Sequence, residues 1–183
     1  PVSLPGVVEA ENFDTGGSGL GYSDTTAANE GGKYRLSESV DIEAQAAASN
    51  GYAVGWVRAG EWMDYAVEVQ TAGLYQINVR YAVNGFGGAF HVELNGTNVT
   101  GAMTAPSTGG WAAYQWLSRV ASLSAGRQTL RLAMETNGQY GYLCNFDCIQ
   151  FVKYTPPSKD PYLGSPVSLP GVVEAENFDT GGS

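Results

Sequence analysis

The 183-residue chain is 43% apolar and 15% charged, a balance that fits one globular domain with a short extension and excludes a disordered polymer. Nine basic side chains against eighteen acidic ones give a net charge of -9, and no stretch concentrates Lys or Arg. Such a surface repels phosphate backbones and anionic lipid, so nucleic acid and membrane are excluded as partners, and no apolar run approaches the ~20 residues of a spanning helix.

Residues 1–18, PVSLPGVVEAENFDTGGS, return unchanged as residues 166–183. A repeat spaced by a domain's length marks tandem copies of a whole domain rather than a solenoid. The expected organisation is a module over 1–154, a Pro/Ser/Gly linker over 155–165, and over 166–183 the truncated start of an identical copy. The module is expected to be monomeric. Because Val172–Phe178 copies Val7–Phe13, the tail offers strand exchange with another molecule's sheet.

Within the module, V-E-A-E-N reads as a strand with Glu9 and Glu11 on one side, ~6–7 Å apart. Like charges so placed call for a cation, for a pair of basic groups, or for full solvation at a sheet edge. Asp147 is the candidate third carboxylate, and an oxygen-only set suits Ca²⁺, which takes six to eight oxygens. Next, Ala44–Ala48 hints at a helical turn, and Arg35 is placed to tie down its segment through Asp41 or Glu43.

From Glu61 onward the chain alternates with period two. Met63, Tyr65, Val67 and Val69 oppose Trp62, Asp64, Ala66 and Glu68; Tyr75, Ile77, Val79, Tyr81 and Val83 oppose Gln76, Asn78 and Arg80. Phe90, Val92 and Leu94 follow, then Leu130, Leu132 and Met134, then Ile149 and Phe151. Turn pairs such as Asn84-Gly85, Asn95-Gly96 and Asn137-Gly138 separate these runs. The fold is read as all-β, a two-sheet β-sandwich of jelly-roll or immunoglobulin-like type.

Chemistry is harder to find. The single histidine, His91, lies on a polar face beside Glu93 and reads as a solvated residue, so a Ser–His or Cys–His mechanism lacks its base. Cys144 and Cys148 are expected to be free and buried, since four residues of strand separate them by ~13 Å. Three tryptophans fall outside the alternating core: Trp56, Trp62 and Trp111. Flat aromatic rings outside a core, with few basic groups nearby, favour a neutral carbohydrate, whose C–H faces stack on rings while amides bond its hydroxyls.

The ordered set V-V-E-A-E-N-F, Y-A-V-G-W-V-R-A-G-E-W-M-D-Y-A-V-E-V, A-G-L-Y-Q-I-N-V-R-Y-A, T-G-G-W, L-S-A-G-R-Q-T-L-R-L and N-F-D-C-I-Q-F resembles the carbohydrate-binding modules of family 6, with family 35 as runner-up. The resemblance implies a jelly-roll module without catalytic activity, appended to a secreted glycoside hydrolase. It implies a loop site in which Trp56 and Trp111 clamp a sugar, Asn145 bonds its hydroxyls and the loop acid Glu30 assists. A second cleft on a sheet face would use Trp62. The resemblance also implies a structural calcium at Glu9, Glu11 and Asp147, the same carboxylates that charge repulsion singles out. The expected partner is a β-linked polysaccharide or oligosaccharide, agarose or β-1,3-glucan ahead of xylan or cellulose. The long segment Asn29–Asn50 narrows the clamp and favours chain ends. A small glycosidase and a calcium-dependent adhesion repeat are the other classes.

Overall fold

The computed structural model describes residues 1–180, and the last three residues of the expected 166–183 copy lie outside them. The chain divides into two compact units, Pro1–Lys153 and Tyr154–Ser183.

The first unit is a two-sheet β-sandwich, as the alternation predicts, and of the jelly-roll class that the family resemblance implies. Its strands are β1 (Val2–Leu4), β2 (Gly6–Glu9), β3 (Tyr22–Ser23), β4 (Ile42–Ala44), β5 (Tyr52–Val54) and β6 (Trp62–Val69). They continue with β7 (Gly73–Val83), β8 (Ala89–Leu94), β9 (Thr97–Asn98), β10 (Met103–Thr104), β11 (Gly110–Leu123), β12 (Gly126–Met134) and β13 (Asn145–Lys153). One sheet runs β1-β6-β12-β8-β10 and the other β11-β7-β13-β5-β4, with β2 pairing β13.

The inward rows match the sequence pattern. Met63, Tyr65, Val67 and Val69 of one sheet are buried against Tyr75, Ile77, Val79, Tyr81, Ile149 and Phe151 of the other. Phe90 and Phe146 meet across the layers edge to face, with centroids 5.0 Å apart at 85°. Tyr65 spends its hydroxyl on the Ala10 carbonyl at 2.8 Å, so a buried polar group finds its partner. Cys144 and Cys148 are free and buried. No helix of the described residues is long and apolar enough to cross a membrane.

Several local expectations are corrected. Glu11 is not on a strand. Glu9 closes β2, and Ala10–Asn12 winds into a 3-10 turn that carries Glu11 into full burial. The helical turn hinted at over Ala44–Ala48 is a single turn that starts after Ala44 ends β4, with Ala48 N–H bonding the Gln45 carbonyl at 3.0 Å. Arg35 pairs with Glu38 and lies over the Phe13 ring at 3.5 Å, rather than reaching Asp41 or Glu43. His91 is not simply solvated, because its ring nitrogens contact Glu135 at 2.6 Å and Glu93 at 2.8 Å.

In the second unit the repeated sequence takes another form. Residues 166–180 hold no strand, Val172, Val173 and Phe178 are exposed, and backbone bonds of 3.2 and 2.9 Å join Asp160 to Thr180. The first copy is β1, β2 and the 3-10 turn only because β6 and β13 supply partners for its backbone.

Candidate functional site

Loops at one end of the sandwich gather the candidate residues. Trp56 follows Gly55 with a φ of 51°, in the left-handed region that a bulky residue rarely adopts, and such strain is held only where surrounding bonds over-determine it. Here Leu143 N–H bonds the Val57 carbonyl at 2.7 Å and Ala59 N–H bonds Asn137 Oδ1 at 2.7 Å. Trp111 stands at the start of β11, where the register to β7 slips between Gly110 and Gln115. Thr108 anchors that start, its hydroxyl accepting from Val83 N–H at 2.8 Å and donating to the Val83 carbonyl at 2.9 Å.

Two further loops, 84–88 and 136–142, are pressed together. A Cβ on Gly88 would fall 1.7 Å from the Thr136 carbonyl oxygen, and one on Gly138 would fall 2.6 Å from that of Phe86. No side chain fits at either contact, so glycine is what lets this loop pair close. The pairing delivers Tyr140, Tyr142 and Asn84 to the same end of the sandwich as Trp56.

Together Trp56, Trp111, Tyr140, Tyr142, Asn84, Asn145, Glu43 and Gln45 line a cavity of about 370 Å³. That volume lies toward the lower end of the ~300–1,000 Å³ usual for small-ligand sites. Trp111 and Tyr140 stand 6.5 Å apart at 59°, and the Arg58 guanidinium covers Tyr142 at 4.9 Å.

Asn145, 4% exposed, has both amide protons engaged: Nδ2 donates to Glu43 Oε1 at 2.9 Å and to the Trp111 carbonyl at 3.0 Å. Only nitrogen can sit between two acceptors, so the orientation of the amide is fixed by its partners. Gln45 Nε2 donates to the same Glu43 oxygen at 3.2 Å. Among the described residues Asn145 Oδ1 receives no bond, and it is the acceptor left for a ligand.

The sequence candidates separate by location. Trp56, Trp111 and Asn145 share the cavity. Glu30 is not among its lining residues; its carboxylate stands 3.8 Å from Arg58 while its N–H bonds Asp41 Oδ1 at 2.5 Å. Glu43 from the same segment takes the position expected of Glu30. Trp62 lies outside the cavity, on the outer face of the other sheet, with Arg131 3.7 Å over its ring and bonded to Asp64 at 2.7 and 2.8 Å. Tyr140 and Tyr142 were legible only as two aromatics flanking a glycine in a turn-rich stretch, and Glu43 only as one acid among several.

Beside the cavity, desolvation pushes the Asp41 carboxyl up to about 7, with Asp24, Glu30 and Glu61 adding repulsion and the Glu30 N–H opposing it. Unfolded, Asp41 loses its proton near the ordinary carboxylate value, whereas folded it keeps it to about 7. Across that window the unfolded chain binds fewer protons, so this group's stabilisation is full at low pH and declines as pH rises toward 7. Burial moves Glu11 and Glu61 in the same direction. The melting temperature is therefore expected to be higher at pH 5 than at pH 8, with the gap narrowed in Asp41→Asn. An unchanged gap in that variant would show that Asp41 is not the group responsible.

At the joined ends of β2 and β13 lies a second cluster. A register slip between Phe146 and Cys148 breaks the alternation, so Asn145 through Ile149 are all buried and Asp147 is fully enclosed. Glu9, Asp147 and Cys148 bring ligand atoms within 4.8 Å of one another. Ser49 Oγ lies 2.6 Å from Glu9 Oε2 and 2.9 Å from Asp147 Oδ1, Arg80 contacts Asp147 Oδ2, and Asn50 bonds Glu11 Oε1. The other Glu11 oxygen is buried with no partner, a position that a cation would satisfy. Glu9 and Asp147 suit a hard divalent ion in donor chemistry; Glu11 stands outside the group whose ligand atoms lie within 4.8 Å of one another and contributes only the orphaned oxygen. Burial and the charges of Asp147 and Glu9 push the Cys148 thiol up to about 12.

The carbohydrate binding module (family 6) model matches residues 30–153. The alpha subunit of clotting factor G from Tachypleus tridentatus is 30% identical over 104 residues, 56% of this chain but only 16% of that protein. The C-terminal family 6 module of LamC, a marine laminarinase from Zobellia galactanivorans, is 27% identical with a TM-score of 0.60, covering 80% of this chain and 98% of the module. A family 35 module from Clostridium thermocellum is 25% identical with a TM-score of 0.58, over 80% of this chain and 98% of its own.

Proposed function

The chain belongs to carbohydrate-binding module family 6, and from that premise we propose that it holds the end of a β-linked polysaccharide in the loop cavity without altering it chemically. The observation that carries this is the cavity itself, four aromatic rings around two asparagines, a carboxylate and a glutamine. Rings stack on the apolar faces of a pyranose; Asn145 Oδ1, Glu43 and Gln45 bond its hydroxyls. A β-1,3-glucan is the favoured polymer, supported by the laminarinase that carries the similar module, with agarose next. The limited volume and the contribution of Glu43 and Gln45 from the long segment favour a chain end over a mid-chain stretch. Trp62 would add a weaker contact on the sheet face. In its physiological setting the module would aim an appended secreted enzyme, raising the local concentration of polymer at the catalytic domain.

Ca²⁺ is the proposed structural ion, held by Glu9, Glu11 and Asp147, where it would neutralise three carboxylates and fasten the first strands to the last. These residues are not among the cavity lining, so the ion's part would be structural.

Affinity electrophoresis of the whole chain tests the reading, through gels containing laminarin, agarose, xylan or a soluble cellulose, each with calcium or with a chelator. Retardation is expected in the laminarin gel, and passage through all four gels unretarded would overturn the assignment.

A further inference from the structure

Asparagine followed by glycine is the pair most open to attack by the chain on itself, because glycine sets no side chain in the way of its own nitrogen. The chain has four such pairs, Asn50-Gly51, Asn84-Gly85, Asn95-Gly96 and Asn137-Gly138. The reaction needs a side-chain amide able to turn and a glycine N–H not committed elsewhere. The fold withholds one or both from three of the pairs.

Asn50 donates from Nδ2 to Glu11 Oε1 and accepts from Tyr52 N–H at 3.3 Å, while Gly51 N–H reaches the Ala48 carbonyl at 3.4 Å. Asn95 Oδ1 is held by Thr129 N–H at 2.9 Å. Asn137 Oδ1 accepts from Ala59 N–H at 2.7 Å, and Gly138 N–H is spent on the Tyr142 carbonyl at 2.9 Å. Asn84 differs from all of them. It is exposed, and among the described residues neither its amide nor the Gly85 N–H has a hydrogen-bond partner. Directly before it Val83 closes β7, with its N–H and carbonyl both fixed by Thr108. The unheld pair is also the one whose asparagine lines the cavity.

We infer that Asn84 is a modification site, at which the chain deamidates itself and so alters the wall of its own cavity. The Gly85 nitrogen attacks Asn84 Cγ, the new C–N bond closes a succinimide ring, and the amide nitrogen leaves as ammonia, carrying the proton from Gly85. Water then opens the ring at either carbonyl and leaves aspartate or isoaspartate at position 84. Either product removes the amide donors and adds a negative charge to a lining that already holds Glu43. Isoaspartate also lengthens the main chain by one carbon at the start of the 84–88 loop. The close fit of that loop to 136–142 is what brings Tyr140 and Tyr142 into place. The cavity therefore loses affinity for a neutral sugar as the chain ages. The modification does not depend on the carbohydrate reading, whereas its effect on binding rests on it.

The test ages the whole chain in warm, mildly alkaline buffer and maps its peptides by mass spectrometry at intervals. A urea-unfolded sample and Asn84→Gln run alongside. Gly85 has a φ of 70°, so replacing it would strain the loop; glutamine at position 84 must instead close a larger, slower ring. In the folded chain the exchange of amide NH₂ for OH is expected at Asn84 several-fold faster than at Asn50, Asn95 or Asn137. In urea the four positions should react at similar rates, which separates protection by the fold from local sequence. Earlier reaction at any of the other three, or an unchanged folded chain while the unfolded one reacts, would overturn the site. Retardation in the laminarin gel should weaken roughly threefold or more as the modified fraction approaches completion. In Asn84→Gln it should hold steady over the same period, whatever its starting level. Undiminished retardation of fully modified chain would overturn the effect on binding. A parent chain that no polymer retards when fresh would instead refute the carbohydrate reading and leave the mass result standing.

Discussion

Trp111→Ala is expected to abolish retardation in the polymer gel that retains the parent chain. An aromatic ring central to a binding cavity carries about 2 kcal/mol or more, a loss of roughly 30-fold or greater in affinity. Trp111 is only partly packed against the core, so the variant should melt close to the parent and the loss should read as binding. Trp56→Ala should behave alike, because both rings line the same cavity. Trp62→Ala, on the far sheet and covered by Arg131, should keep most of the retardation. Unaltered binding in a folded Trp111→Ala chain would refute the loop site, and loss in Trp62→Ala alone would move the site to the sheet face.

The largest stability effect is expected at Phe146→Ala. Phe146 is 1% exposed, locks edge to face with Phe90 and so joins the two sheets immediately after Asn145. Truncating a buried phenylalanine costs ~3–5 kcal/mol through lost transfer energy and the cavity left behind. Urea unfolding of the variant should show that fall in stability with a nearly unchanged slope. A change below ~1 kcal/mol would mean that the sheets close over the gap.

The core was legible because burial on one face imposes period two, and Met63 to Val69 and Tyr75 to Val83 carry it in their apolar residues, although Asp64, Asn78 and Ala82 on the opposite face are buried too. What alternation could not show lies where alternation stops. The slip between Phe146 and Cys148 buries Asp147 and Cys148 together, and a residue-by-residue period has no means of reporting a bulge. Glu11 was assigned to a strand because a 3-10 turn of three residues leaves no periodic trace.

The choice between Glu30 and Glu43 depended on pairing. Ile42 faces Val54 across the β4–β5 ladder, and that register sets Glu43 beside Gly55 and Asn145, while Glu30 is drawn to Arg58 and Asp41. Tyr140 and Tyr142 reach the cavity because glycine 88 and glycine 138 admit a close approach of two loops distant in sequence. Side-chain chemistry can be read from a single chain. Which loops touch is decided by backbone contacts that residue type only permits.

With both of its protons engaged by Glu43 and the Trp111 carbonyl, Asn145 offers a ligand nothing but a lone pair. A sugar bound there as proposed would have to bring the hydrogen. A ring whose hydroxyl at that point has been methylated, acetylated or sulfated would have none to give, and it would leave that acceptor unanswered even where its bulk is accommodated. If the cavity holds a chain end as proposed, the pinned amide would sort polymers by their decoration as well as their linkage, accepting bare ends and declining capped ones.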